Sequence, residues 1–324
     1  MNIPMIEAKN LTKHFGNGSN SVKAVDGIDF NVKTGDAHGF LGPNGAGKTT
    51  TIKMLVGGLH ITRGSATIKG YKVGSVKANS LIGYVSEQPK FFDMTLINYL
   101  IYMGRLGHLT KSMAEKKAEE LILWLGLEEA AERKVNDYSS GMKQKAALAQ
   151  ALIHEPEILI LDEPTANLDP VGRAGMIKYI MELVHDRGLT VFVSSHILGE
   201  VEKMADYVTI INKGKIILSD DVRAIKDQLA GNHFILETTK NEQILLELKK
   251  LPYIKRVWID NEQKIQVVSD RDEALQEAIT KIVYESKAMM KSFRKRDVSL
   301  EDIFLRSVAD QEKDRGEVGG DSNE

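Results

Sequence analysis

The sequence predicts an α/β fold built around a phosphate-binding loop, followed by a second, smaller α+β domain. Three observations carry that reading. Gly42-Pro43-Asn44-Gly45-Ala46-Gly47-Lys48-Thr49-Thr50 matches the pattern GxxxxGK[ST] with a further Thr behind it. It stands between Gly39-Phe40-Leu41, which reads as the end of a buried strand, and Thr50 to Leu55, which reads as a helix. Ile158-Leu159-Ile160-Leu161 is a short, wholly apolar run, as expected of a parallel strand covered on both faces, and it ends in Asp162-Glu163. Finally, the segments from Phe234 to Phe293 run strand, helix, strand, strand, helix, strand, the order of a small ferredoxin-like module.

Length and composition set the bounds. A chain of 324 residues is longer than one ordinary domain, and 42% hydrophobic residues suffice for a large core and a small one. The formal net charge of −2 gives no global attraction to nucleic acid, so none is expected as a partner. With no cysteine there is no disulfide framework, thiolate metal site or cysteine nucleophile, which fits a cytosolic protein. Met1 to Phe15 mixes charges with apolar residues and lacks the apolar core of a signal peptide. No apolar run approaches the roughly 18–20 residues needed to span a bilayer, so any membrane role goes through a partner.

In chain order, Met5 to Lys9, Gly27 to Val32 and Ala37 to Leu41 read as strands separated by turns such as Gly16-Asn17-Gly18-Ser19-Asn20. Behind the loop helix, Ser65 to Lys69 and Leu81 to Val85 are further strands. From Leu96 the character becomes helical, and Ser112-Met113-Ala114-Glu115 forms a capping-box pattern ahead of a helix through Leu125. Ser139-Ser140-Gly141 opens a helix through about Ile153. Met176 to His185 is a helix, and Leu189 to Ser194 and Val208 to Ile211 are buried strands. Asp220 to Gly231 turns polar and helical, which places a domain boundary at 230/231. Beyond it come Phe234 to Thr238, a helix Asn241 to Leu251, a hairpin around Asn261-Glu262-Gln263, a helix Arg271 to Glu285 and a strand Met289 to Phe293. Ser299-Leu300-Glu301-Asp302 caps a last helix to about Val308, and residues 310–324 are charged and Gly-rich, a composition that predicts disorder.

The chemistry concentrates in a few places. Glycines let backbone N–H groups converge on phosphate oxygens, Lys48 adds positive charge near the terminal phosphates, and Thr49 is placed to ligate Mg²⁺. Asp162, at the carboxyl end of its strand, can hold the same cation from the other side. Glu163 is left facing the terminal phosphate, where it can orient or deprotonate water. Ser139 and the free N–H groups of its helix form a second anion site, more than one chain obviously needs. The basic run Arg294-Lys295-Arg296 is read as a solvated face, and His38 as a hydrogen-bonded core residue.

At this point the sequence resembles the ATP-binding-cassette (ABC) ATPases, whose signature, usually LSGGQ, occupies the place of Tyr138-Ser139-Ser140-Gly141-Met142. The resemblance covers residues 5 to about 215. It implies that the nucleotide is ATP with Mg²⁺, bound by Gly42, Pro43, Asn44, Gly45, Ala46, Gly47, Lys48, Thr49 and Thr50. It further implies that Phe15 stacks on adenine, although a lone Phe is more often core. Gln88 in Ser86-Glu87-Gln88-Pro89 would be the Q-loop glutamine near the metal, alongside Thr49 and Asp162. Asp169 in Ala166-Asn167-Leu168-Asp169 looks like the D-loop, and His196 like the switch histidine, joining Lys48 and Glu163 as catalytic. In that family Ser139 and Gly141 contact ATP held by the other subunit of a head-to-tail dimer.

The implied fold is a P-loop NTPase cassette over residues 1–230, with a RecA-like α/β core, an antiparallel β subdomain and a helical subdomain at about 90–150. A ferredoxin-like accessory domain would cover 231–309. Val298 to Leu305 is similar to the accessory domain of the daunorubicin-resistance type, which powers type-2 ABC exporters. The implied partners are a second copy or a related ABC ATPase and a transmembrane permease, which would hold the chain on the cytoplasmic face of the membrane. Gln88 and Phe91-Phe92 would face that permease, unless the aromatics are core. The signature departs from the family at Tyr138, Ser140 and Met142, and a side chain at Ser140 implies slower or weaker closure. That departure leaves open a regulatory switch that hydrolyses little, and a soluble ABC ATPase uncoupled from transport is the other alternative.

Overall fold

The computed structural model describes residues 3–16, 21–230, 232–296 and 299–304. Two compact units emerge, the first running to Val222 and the second spanning Arg223–Ile303. The division falls at the start of the polar helix following the first unit, whereas the sequence pattern places it at that helix's end.

The first unit begins with β1 (Ile6–Phe15), β2 (Val22–Val32) and β3 (Ala37–Leu41), then α1 (Lys48–Leu55), β4 (Arg63–Ile68), β5 (Tyr71–Lys72), α2 (Val76–Ser80) and β6 (Ile82–Val85). It continues through α3 (Leu96–Leu106), α4 (Lys111–Leu125), α5 (Ser140–Leu152), β7 (Ile158–Asp162), α6 (Pro170–His185), β8 (Thr190–Ser195), α7 (Leu198–Met204), β9 (Tyr207–Asn212) and β10 (Lys215–Asp221). Strands β2-β1-β4-β5 form an antiparallel sheet, and β10-β9-β3-β8-β7-β6 form a second one, parallel except for β10. Every residue of β3, β7 and β8 is buried, which is why these strands show no polar alternation. His38, inside β3, stacks on Phe192 and Tyr207 and pairs through Nε2 with Thr209 Oγ1 at 2.9 Å. Burial drives its pKa down to about 3, so it is a neutral core residue.

Some boundaries move for identifiable reasons. Helix α4 is capped by Thr110, whose hydroxyl accepts from Met113 N, so the expected capping box at Ser112 lies inside the helix. Helix α6 starts at Pro170, well before the expected Met176, because Asp169 caps it and proline suits its first turn. The sequence reading passes over α2, α7 and β10, which are short or half-exposed and show no full period.

The second unit begins one residue into α8 (Val222–Ala230) and holds β11 (His233–Thr238), α9 (Asn241–Leu248), β12 (Ile254–Ile259), β13 (Ile265–Ser269), α10 (Asp272–Glu285) and β14 (Met290–Lys295). Its sheet has the antiparallel order β12-β13-β11-β14, the ferredoxin-like arrangement. Phe234, Leu236, Ile265 and Val267 on one sheet face bury against Ile244, Leu248, Leu275 and Ile279 of the two helices. After β14, Ser299 and Asp302 cap each other's N–H groups as the sequence predicts. The continuation of this last helix to Val308 and the tail 310–324 lie outside the described residues.

Candidate functional site

The glycine-rich loop crosses from β3 to α1 under tight packing. At Gly42 a Cβ would come within 2.2 Å of Ile211 O, and Gly47, at φ 112, would place one 2.5 Å from Ala24 O. No other residue type fits either position. Gly47 is also the N-cap of α1 and brings no capping side chain, so the N–H groups of the first turn are left for a ligand. A cavity of about 370 Å³ opens here, lined by Asn44, Gly45, Gly47, Lys48, Thr49 and Thr50 on one side and by Glu163 and His196 on the other. Gly42, Pro43 and Ala46 support the loop from behind: Lys48 Nζ donates to Gly42 O at 2.6 Å and Pro43 O at 3.2 Å, and Ala46 N donates to Pro43 O.

Sheet order builds the opposite wall. Strand β8 lies between β3 and β7, so its carboxyl end reaches the site between the loop and the two carboxylates. Thr49 Oγ1 donates to Asp162 Oδ1 at 3.2 Å, and Ser194 Oγ donates to the same oxygen at 2.8 Å. Burial raises the Asp162 pKa, against the lowering effect of these hydroxyls and of Lys48. Glu163 is 7% exposed and sits at φ 50, a left-handed conformation few side chains adopt. Its Oε1 lies 3.1 Å from Lys48 Nζ, and its Oε2 accepts from His196 Nδ1 at 2.8 Å. Because a carboxylate only accepts, Nδ1 carries the proton. Nε2 of a neutral ring then has none, so donation to a terminal phosphate requires the imidazolium or a break from Glu163.

The structure thus brings Lys48, Thr49, Thr50, Asp162, Glu163 and His196 together, and it leaves others apart. Gln88 is exposed and does not line the cavity, whereas its neighbour Glu87 does. In the irregular segment after β6, a one-residue offset puts Glu87 and not Gln88 on the cavity wall. Asp169 is exposed, and its Oδ1 accepts from Gly172 N at 2.7 Å, so its carboxylate caps α6. Phe15 is 42% exposed with Lys13 Nζ 5.1 Å from its ring, so it is a surface aromatic and not core, though not part of the cavity wall. Ser139 caps α5 by accepting from Met142 N and, with Gly141, lies off the cavity. Phe92 is 56% exposed and meets Tyr99 and Tyr102 edge-on. The sequence reading missed Glu87, Ala24 and Ala166 on the wall and Ser194 beneath it.

Residues 25–166 match the family described as "ABC transporter", and 221–308 the "ATP-binding protein DrrA1-3-like, C-terminal domain". The linearmycin resistance ATP-binding protein LnrL of Bacillus subtilis (strain 168) is 33% identical over 310 residues, covering 93% of this chain and 97% of its own length. The chain belongs to the ABC transporter ATPases. The bacitracin transport ATP-binding protein BcrA of Bacillus licheniformis is 42% identical to this ABC ATPase over 216 residues, 66% of this chain and 68% of the relative. Among solved structures, cbiO1 from Clostridium perfringens, described as part of the ABC transporter complex cbiONQ, superposes with a TM-score of 0.61 at 27% identity. It covers 68% of this ABC ATPase and 90% of its own chain. The dimeric cassette MJ0796 bound to ADP and Pi shares the fold at a TM-score of 0.62 and 24% identity, over 68% and 99%. No helix among the described residues of this ABC ATPase is long and apolar enough to cross a membrane.

Proposed function

We propose that this ABC ATPase drives an exporter, with two cassettes closing head to tail on Mg-ATP against a separate membrane subunit. The observation that supports the reading is the separation of the glycine-loop cavity from the serine-capped start of α5. The loop cavity is complete on one side, while the serine-capped start of α5 stands exposed and apart from it, available to a second cassette's nucleotide. The dimeric form of MJ0796, the complex described for cbiO1, and the transport and resistance roles named for BcrA and LnrL support it.

Within each site Thr49 and Asp162 present adjacent oxygens, the hard donor set that suits Mg²⁺, which would neutralise charge between the terminal phosphates. Lys48 shifts its charge to the phosphates as they arrive, releasing one oxygen of Glu163 to orient water. His196 restrains the other oxygen. Through its membrane partner the chain would sit on the cytoplasmic face.

Two measurements test this. The Glu163→Gln variant with Mg-ATP should form a dimer by light scattering while Lys48→Ala stays single, and finding only single molecules in both would refute the dimer. Replacing Phe91 and Phe92 together by Ala should keep basal hydrolysis and abolish co-purification with the membrane subunit, and undiminished co-purification would remove these aromatics from the coupling surface.

A further inference from the structure

We propose that Ser194 is a positioning residue for hydrolysis, whose hydroxyl sets the aim of both carboxylates at the end of β7. Parallel pairing of β7 with β8 places Ser194 opposite Asp162. Its side chain is fully buried in the centre of the sheet. The hydroxyl accepts from Glu163 N at 3.1 Å and lies 2.8 Å from Asp162 Oδ1. A serine has a single hydroxyl proton. Since Glu163 N–H occupies a lone pair, that proton goes to the carboxylate, and the direction of both bonds is fixed.

The neighbouring serine shows that this is not a generic property of the segment. Ser195 Oγ accepts from Ile197 N at 2.9 Å and shapes the turn towards α7, with no hydrogen bond to either carboxylate. Among the described residues, Ser194 is the one whose hydroxyl bonds both Asp162 and Glu163. It also explains how Glu163 keeps φ 50, because a left-handed non-glycine residue persists only where its surroundings over-determine it. Without the hydroxyl, the buried Glu163 N–H loses its acceptor, the turn can relax, and Oε1 and Oε2 leave their bearings on Lys48 and His196. Asp162 at the same time loses one of the two donors that hold Oδ1 beside Thr49.

The inference rests on the roles given above to Asp162 and Glu163, and the experiment separates the two claims. Thr and Val at position 194 have the same shape and differ only in the hydroxyl, so Ser194→Thr should exceed Ser194→Val in kcat by about 10–100-fold, the usual effect of groups that orient a site's ligands. The KM for ATP should agree between them within about threefold. Ser194→Ala should weaken Mn²⁺ binding to the ADP complex by about tenfold, followed by electron paramagnetic resonance, and leave metal-free ADP binding unchanged. Equal kcat in the Thr and Val variants, or metal-free ADP binding falling in step with kcat in the Ala variant, would overturn the proposal by showing a purely structural role. If Glu163→Gln hydrolyses ATP normally, the site reading itself fails. If it is inactive while Ser194→Ala behaves as wild type, only the role of Ser194 fails.

Discussion

Replacing Glu163 by Gln separates binding from hydrolysis, because Glu163 is ion-paired with the lysine of the phosphate loop, Lys48. The two side chains are 9% and 6% exposed, and Oε1 is 3.1 Å from Nζ. Removing one partner of a buried ion pair costs about 3–5 kcal/mol. Lys48 keeps Gly42 O at 2.6 Å and Pro43 O at 3.2 Å, which offsets part of that. If about 1.4–3 kcal/mol of strain remains in the empty variant and is relieved when phosphate meets the lysine, affinity rises about 10–100-fold. The base and water-orienting role is lost at the same time, lowering kcat by about 10²–10⁴. Calorimetric titration with ADP, which isolates this pocket from the signature helix of a second cassette, reads the first effect. Single-turnover phosphate release reads the second. ADP affinity equal to wild type would refute the Lys48 argument, and hydrolysis within about threefold of wild type would refute the role of Glu163.

Three further outcomes are expected. Burial raises the Asp162 pKa, so the folded empty protein holds that proton more tightly than the unfolded chain, and this group's contribution to stability falls as pH rises from 3.8 through the folded value. Asp162→Asn should therefore melt higher at neutral pH without ligand, by about 2–4 °C per kcal/mol recovered, while losing Mg²⁺-dependent hydrolysis; an unchanged or lower melting temperature contradicts it. His38 has the opposite sign: neutral and buried with a pKa of about 3 against 6.5, it supports stability above 6.5 and loses that support as pH falls towards 3. His38→Phe leaves Thr209 bonded to Ser219, so between pH 7 and 5 the wild type should lose about 2 kcal/mol more than the variant by urea denaturation, and parallel losses would disprove it. Ser140 is exposed at the first position of α5, where the family carries glycine, so Ser140→Gly should keep or raise ATP turnover; a large loss would make Ser140 a required ligand.

How much was legible depended on the range of the interaction. The loop, its helix and the Ser139 cap are contiguous, and their geometry follows from glycine's freedom and from unpaired helix N–H groups within a few residues. The apolar run of β7 announced a buried parallel strand, those of β3 and β8 announced buried strands, and the element order of the second unit announced its sheet. The exposure of Phe15 and the place of Glu87 on the cavity wall were not legible, because a side chain's neighbours depend on what the rest of the chain covers.

The sequence by itself determined the chemistry on offer: a lysine and a threonine behind a glycine loop, and two carboxylates at a strand end. Only the tertiary structure decided how they meet. Inserting β8 between β3 and β7 brings Ser194 and His196 to carboxylates more than thirty positions away in the chain. Local propensities cannot encode that meeting, since it arises only when distant strands pair and the sheet is assembled.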